Sequence, residues 1–385
     1  MRPSPVSPLL APRAAALVAA LVAAAAVALA SRPGAAQPPV RKEAPPGGAP
    51  STGARAPAGA LLVVLEKEAA TARLIDPASG RTLATLPTGP FPHEVAVSPD
   101  GRLAVVADYG AQEPGRTLTV LDLPGRRVLR TVALGDYRRP HGIGWLAGDA
   151  PMVAVTAEQS RAVLVVDVDA GTVLRAIPTE QQGTHMLALP PGEVDGSRAW
   201  TANIGSGSVS LLDLAAGRVV RTATVGRGPE GIDVTPDGRE VWAADRQQDV
   251  VRILDATTLD SLGALPTGRF PNRLKFTPDG RWALVSNAAA STVSVYDVRA
   301  RRLVTTVELP LPAGRAPTEP NPMNPTGRSV LPLGIQLAPD GTRAWIAANA
   351  TGELIELAIP SWRVVRRIAA GAGPDGMAYV PAPAR

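Results

Sequence analysis

Residues 229–245 read Pro229-Glu230-Gly231-Ile232-Asp233-Val234-Thr235-Pro236-Asp237-Gly238-Arg239-Glu240-Val241-Trp242-Ala243-Ala244-Asp245. An alternating run, a Pro-Asp-Gly turn and a second apolar run make one β-hairpin. Pro presets φ at such a turn and Gly accepts a positive φ. The phrase returns as Ser98-Pro99-Asp100-Gly101-Arg102, Thr277-Pro278-Asp279-Gly280-Arg281 and Ala338-Pro339-Asp340-Gly341. A polar residue closes each second strand: Asp108, Glu158, Asn203, Asp245, Asn287 or Asn349. A third strand ends in Asp (Asp76, Asp122, Asp167, Asp213, Asp255, Asp297), and a fourth completes the unit, as in Arg218-Val219-Val220-Arg221-Thr222-Ala223.

Four short strands, repeated mostly every 42 to 48 residues or so, predict propeller blades, not a sandwich. First strands begin at Pro92, Pro140, Thr184, Pro229, Pro271, Pro332 and Pro374, which makes seven. The last start has one strand after it, and Leu61 to Gly89 holds three strands without a first. The two ends complement each other. The expected fold is therefore an all-β, seven-bladed β-propeller of four-stranded antiparallel blades, with the C-terminal strand pairing with the N-terminal three so that no sheet edge stays open. In the Pro140 and Thr184 blades Ala147-Gly148-Asp149 and Pro190 to Gly196 replace the Pro-Asp-Gly turn.

The repeat resembles the YVTN-type repeats of exported bacterial and archaeal β-propellers. The matching phrases are Trp200-Thr201-Ala202-Asn203 with Leu211-Leu212-Asp213, and Leu284-Val285-Ser286-Asn287 with Val293-Ser294-Val295-Tyr296-Asp297. The resemblance covers the whole repeat region and implies architecture. It does not imply one activity, because one fold hosts many functions.

Ahead of the repeats, residues 1–36 have the layout of a secretory signal peptide: Arg2 and Arg13, the apolar run Ala14 to Ala30, then small-residue cleavage sites. The alternative is an uncleaved anchor, which is the only membrane association expected. Residues 37–59 are a Pro/Gly/Ala-rich linker too poor in apolar residues to order itself. The propeller occupies 60–385, with a Pro-rich insertion at 310–329. The expected location is periplasmic or secreted, and the expected state a monomer.

The chain has no cysteine, which excludes disulfides, thiolate metal sites, a Cys nucleophile and covalent c-type haem. Its net charge of +5 includes Arg2, Arg13 and Arg32 of the signal, so the remainder is nearly balanced. With aromatics at 3%, that argues against a nucleic-acid partner. There is no Gly-x-Ser-x-Gly, phosphate loop or His-Glu-x-x-His. Trp200, Trp242 and Trp345 fall in second strands, where packing between blades is their expected role.

One constellation carries chemistry. The only three histidines, His93, His141 and His185, are each the second residue of a first strand, in three consecutive blades. The equivalent residues elsewhere are Glu230, Asn272, Leu333 and Asp375. First strands line the channel of a propeller, so equal register predicts convergence on one rim. Three imidazoles suit a divalent transition metal such as Zn or Cu, with Asp375 or Glu230 as the carboxylate. Arg138, Arg139, Arg227 and Arg269 precede first strands and stand ready to steer an anion. The insertions Gly110 to Gly115 and 310–329 are expected on the same face, and long loops in compact folds are usually functional. The resulting expectation is an exported binding or scaffold protein. Its histidine face, with His93, His141, His185, Glu230, Asn272, Asp375 and the four arginines, takes a metal, small molecule or protein partner. The alternative is a metal-dependent enzyme, a lactonase-like hydrolase or an oxidoreductase, at the same mouth.

Overall fold

The computed structural model of the chain describes residues 59–148, 150–190 and 197–382. The signal at 1–36, nearly all of the linker at 37–59, Asp149 and most of the Pro190 to Gly196 turn lie outside them.

The described residues form seven four-stranded antiparallel sheets. Each first strand begins at the residue its repeat predicts. The Pro92 blade comprises β4 (Pro92–Val97), β5 (Leu103–Asp108), β6 (Thr117–Asp122) and β7 (Arg127–Ala133). The Pro140 blade holds β8 (Pro140–Trp145), β9 (Met152–Ala157), β10 (Ala162–Asp167) and β11 (Thr172–Pro178). Next comes the Thr184 blade, β12 (Thr184–Ala188), β13 (Arg198–Asn203), β14 (Ser208–Asp213) and β15 (Arg218–Thr224). The Pro229 blade follows with β16 (Pro229–Val234), β17 (Glu240–Asp245), β18 (Val250–Asp255) and β19 (Ser261–Pro266). In the Pro271 blade stand β20 (Pro271–Phe276), β21 (Trp282–Asn287), β22 (Thr292–Asp297) and β23 (Arg302–Glu308). The Pro332 blade has β24 (Pro332–Leu337), β25 (Arg343–Ala348), β26 (Glu353–Ala358) and β27 (Arg363–Ala369). In the Pro374 blade the C-terminal β28 (Pro374–Val380) pairs with β1 (Leu61–Glu66), which continues into β2 (Thr71–Ile75) and β3 (Thr82–Pro87).

The recurring turn explains itself. Thr235 Oγ1 donates to Asp237 Oδ1 (2.6 Å), and the same carboxylate accepts the Arg239 N–H (3.1 Å). Ser98 with Asp100 and Thr277 with Asp279 repeat the pattern, and Gly101, Gly238 and Gly280 all take positive φ near +70°. Between blades the core is apolar. Trp242, fully buried, packs edge-on against Phe276 and Tyr296 of the next blade. Truncating such a tryptophan to Ala costs about 3–5 kcal/mol. Ring closure pairs Leu61↔Val380 through Val64↔Met377 and, after a bulge, Glu66↔Pro374. Both ends of the folded chain thus leave the face opposite the one where first strands begin. No helix among the described residues is long and apolar enough to cross a membrane.

Every first strand carries a β-bulge just inside the channel. Pro92 pairs with Asp108 and Val95 with Val106, so His93 and Glu94 together oppose one residue. The same slip falls after Pro140, Thr184, Pro229, Pro271 and Pro332. Bulges re-aim side chains, and these turn the second residue of each first strand into the channel mouth.

Candidate functional site at the channel mouth

The bulged residues form a ring in the order Asp375, His93, His141, His185, Glu230, Asn272, Leu333, and all seven are buried. The three imidazoles touch in sequence. His93 and His141 have ring centroids 4.5 Å apart, His141 and His185 3.8 Å. The backbone is pinned from the neighbouring blade: Thr156 Oγ1 donates to the His185 carbonyl (2.6 Å) and accepts the Gly142 N–H (2.9 Å). Glycine after the bulged residue lets inner strands approach, since a Cβ on Gly376 would run into the carbonyl oxygen of His93.

A second ring sits directly outside the first. It comes from the residue after the one that pairs with each first-strand start, and includes Lys67, Tyr109, Glu158, Arg246 and Asn349. Glu158 opens a single 3-10 turn, Glu158–Ser160. Lys67 Nζ pairs with Asp375 Oδ2 (3.1 Å) and Arg246 Nη1 with Glu230 Oε2 (2.5 Å). Tyr109 packs against His93 (4.3 Å) and edge-on to His141 (5.3 Å). A third ring, the residue before each first strand, supplies Phe91, Arg139, Phe270 and Leu331. Phe91 lies 5.4 Å from the His93 ring, and Arg139 stacks 4.6 Å over Tyr109.

The channel has a floor. Arg273 follows Asn272 and reaches across to Glu94, which follows His93: its Nε and Nη2 lie 2.9 and 2.7 Å from Glu94 Oε1. Its Nη1 donates to Asn272 Oδ1 (3.1 Å) and Glu230 Oε1 (3.3 Å). Burial works against the Arg273 charge, but Glu94, Asp375 and Glu230 outweigh it and raise the pKa. The opposite wall is apolar. Leu333 packs with Ala288 and Leu331 and is covered by Met323 of the Pro-rich insertion. Buried Asn324 holds that insertion in shape, its amide bridging Thr318 and Ser329.

The three histidines are electrostatically unequal. His185 is clamped between carboxylates, Nδ1 to Glu158 Oε2 (2.8 Å) and Nε2 to Glu230 Oε1 (3.1 Å). Burial alone would lower its pKa, but the Glu230 charge and the bonds to both glutamates hold it up at about 9. Glu230 is correspondingly lowered: burial opposes its charge, and His185, Arg246 and Arg273 overcome that. His93 and His141 go the other way. Burial first, then Lys67, Arg273 and the neighbouring imidazoles, push both well below the usual histidine range, so both are neutral. Both ring nitrogens of His93, Nδ1 of His141 and Oδ1 of Asp375 are buried without a hydrogen-bond partner in the protein. Leaving such a group unpaired costs about 1–3 kcal/mol.

One ligand-like grouping stands out among the described residues. Donor atoms of His141, Glu158 and His185 lie within 4.8 Å of one another. Zn bonds of about 2.0–2.2 Å place neighbouring donors roughly 3.3 Å apart, a modest closure from this arrangement. Of the carboxylates read from the sequence as metal partners, Asp375 pairs with Lys67 and lies 3.8 Å from His93 Nδ1, and Glu230 bonds His185 as well as Arg246 and Arg273. The arginines divide by one residue. Arg139 stands over the mouth, whereas Arg138, Arg227 and Arg269 sit one position earlier. Arg227 and Arg269 are exposed, and Arg138 contributes its backbone N–H to Ser160 Oγ (2.9 Å). Sequence reasoning missed Glu94, Arg273, Lys67, Tyr109 and Arg246 and gave Glu158 no role. The signal for the outer ring was present, one residue beyond the end of the second strands.

The fold and this mouth define the protein as a seven-bladed β-propeller with a polar, histidine-lined channel closed at its base. A family model described as "Lactonase, 7-bladed beta-propeller" matches residues 219–315, about a quarter of the chain, which include Glu230, Asn272 and Arg273 but none of the histidines. A solved structure of Kuenenia stuttgartiensis hydrazine synthase superposes with a TM-score of 0.62 at 18% identity, covering 76% of this chain and 91% of that one. A functionally unknown protein from Desulfotomaculum acetoxidans superposes with a TM-score of 0.67 at 17% identity, covering 83% and 99%. At these identities the likeness is one of fold. A search among curated proteins returns no significant match.

Proposed function

We propose that the protein is an exported binding propeller whose mouth holds a divalent transition metal, Zn or Cu, on His141, His185 and Glu158, with His93 beside them. The observation that carries this reading is the convergence of three imidazoles and one carboxylate: His93 and His141 are neutral, His93 has no hydrogen bond at either nitrogen, and His185, held protonated by Glu158 and Glu230, gives up its proton on binding the metal. Imidazole with carboxylate is a donor set for Zn or Cu, and the carboxylates flanking His185 orient its ring. The Arg273–Glu94 floor gives the site one open side.

The test is metal analysis of the exported protein, purified without a His-tag, beside a His93→Ala/His141→Ala/His185→Ala variant. About one metal per chain in the wild type, lost in the variant, is the expected result. No metal after dialysis against Zn and against Cu overturns it.

A second reading is favoured by the open polar cavity beside Glu158: a metal-dependent enzyme, a lactonase-like hydrolase or an oxidoreductase. The partial lactonase-family match is compatible with it. Metal-dependent lactone hydrolysis, abolished by Glu158→Ala, separates this reading from binding alone.

A further inference from the structure

A cavity of about 560 Å3 opens directly outside Glu158, between the Pro92, Pro140 and Thr184 blades. Its wall includes Tyr109, Arg139, Arg161, Gln112 and Gln182, so it is built almost wholly of hydrogen-bonding side chains. Two of its charges are unspent. Arg127, Arg246, Arg273 and Arg301 all have a carboxylate within 4 Å. Among the described residues Arg139 and Arg161 have none. Arg139 is nonetheless fixed: Nη1 donates to the Gly110 carbonyl (2.8 Å) and the guanidinium stacks on Tyr109. Its backbone is held as well, because the Arg139 N–H bonds Gly115 O (2.9 Å) and its carbonyl accepts the Glu158 N–H (2.9 Å). The 3-10 turn that presents Glu158 ends at Arg161, in the left-handed region (φ 54°). Glu158 and Arg161 are thus carried on one short turn, and Arg139, at the far end of the β8–β9 hairpin, is tied to it by the Glu158 N–H.

Glu158, the one carboxylate in this wall, is already turned to His185. What remains facing the cavity is positive and donor-rich. Guanidinium forks match the two oxygens of a carboxylate, and Arg139, already fixed on Gly110 and Tyr109, loses little entropy on binding. Amides and a phenol hydroxyl around them suit hydroxyl or carbonyl oxygens. We infer that this cavity binds a small hydroxycarboxylate, its carboxylate on Arg139 and Arg161 and its remaining oxygens on the glutamine amides and Tyr109. The inference deepens the reading of the mouth as a ligand site by naming the ligand class, and its carboxylate contacts do not require the metal.

The test is calorimetric titration of the full exported protein, first stripped of metal, with malate and with malamide, its uncharged diamide. Malate is expected to bind and malamide not. Arg139→Gln/Arg161→Gln is expected to weaken malate at least about tenfold, the loss of one to two charged contacts, while its metal content and melting temperature stay those of the wild type. A His93→Ala/His141→Ala variant, which leaves His185 bonded to Glu158, is expected to keep malate binding. Failure of the metal reading therefore shows only in metal analysis, and failure of this one only in the titration. No malate binding at millimolar concentration, equal binding of malamide, or undiminished binding in a folded arginine variant each overturns the inference.

Discussion

Arg273 and Glu94 stand 179 residues apart in the chain and meet at 2.7 Å across the channel, joining blades on nearly opposite sides of the ring. The pair does two jobs, closing the base of the mouth and tying the ring along a diameter. Arg273→Ala leaves half-buried Glu94 and buried Glu230 beside a lost cation, which costs up to about 3–5 kcal/mol, the scale of a broken buried pair. Replacing both partners with leucine removes the orphaned charge, and most of the loss is expected to return. Urea unfolding of the two variants checks this, and equal destabilisation of both would show that the charge pairing is not what matters.

Glu158 and Asp375 distinguish the two candidate carboxylates for the metal. Glu158→Gln keeps the size and removes the charge, and zinc affinity is expected to fall at least about tenfold. Asp375→Asn leaves Lys67 without its partner and is expected to lower stability rather than zinc affinity. Competition against a chromogenic chelator reads both, and the opposite ranking would move the metal to the Lys67 side of the ring.

Asp108 carries a pH dependence outside the site. It is fully buried and accepts bonds from the Gly89 N–H and the Thr117 and Thr119 hydroxyls, yet burial raises its pKa from 3.8 to about 6. Between those values the native state binds more protons than the unfolded one, so this residue's contribution is lost as pH rises. At equivalent positions Asn203 and Asn287 bond the same pair of hydroxyl positions without a charge. Asp108→Asn is therefore expected to stabilise the protein at pH 7 by about 1–3 kcal/mol, on the scale of 1.36 kcal/mol per pKa unit. The gain should vanish below pH 4. Thermal melts at both pH values settle the point, and an equal effect at both would remove the titration from the explanation.

Ending the chain after Gly373 deletes β28 and exposes the inner edge of β1. An open apolar edge aggregates, and a whole inner strand exceeds the margin of about 5–15 kcal/mol typical of domains. The truncated protein is expected to lose its cooperative melt and to leave the monomer peak on gel filtration. A soluble, cooperatively melting product would mean that the six remaining blades hold without closure.

Much of this was legible in the residues, and the reason is the repeat. Pro229 to Asp245 names its own turn, and the same spacing located the seven first strands at the residues where they begin. The complementary ends were equally plain, because a blade missing one strand and a strand missing its blade can satisfy their backbone groups only together. The arc from Asp375 to Asn272 followed from register. Glu158 was read as the polar end of a second strand, but that strand ends at Ala157 and Glu158 opens the turn beyond it, where it meets His185 of the next blade.

Local sequence determined the blade, the number of blades, the closure and the presence of three histidines at one height, since each rests on spacing within or between identical units. Tertiary structure alone decided which charges meet. Arg273 finds Glu94 only because the ring bends the chain through half a circle. Arg139 stacks on Tyr109 at the mouth while Arg227 and Arg269, one position earlier in their own blades, are exposed, a difference of one residue of register. Pairing across a closed ring has no fixed sequence separation, so no periodicity can encode it.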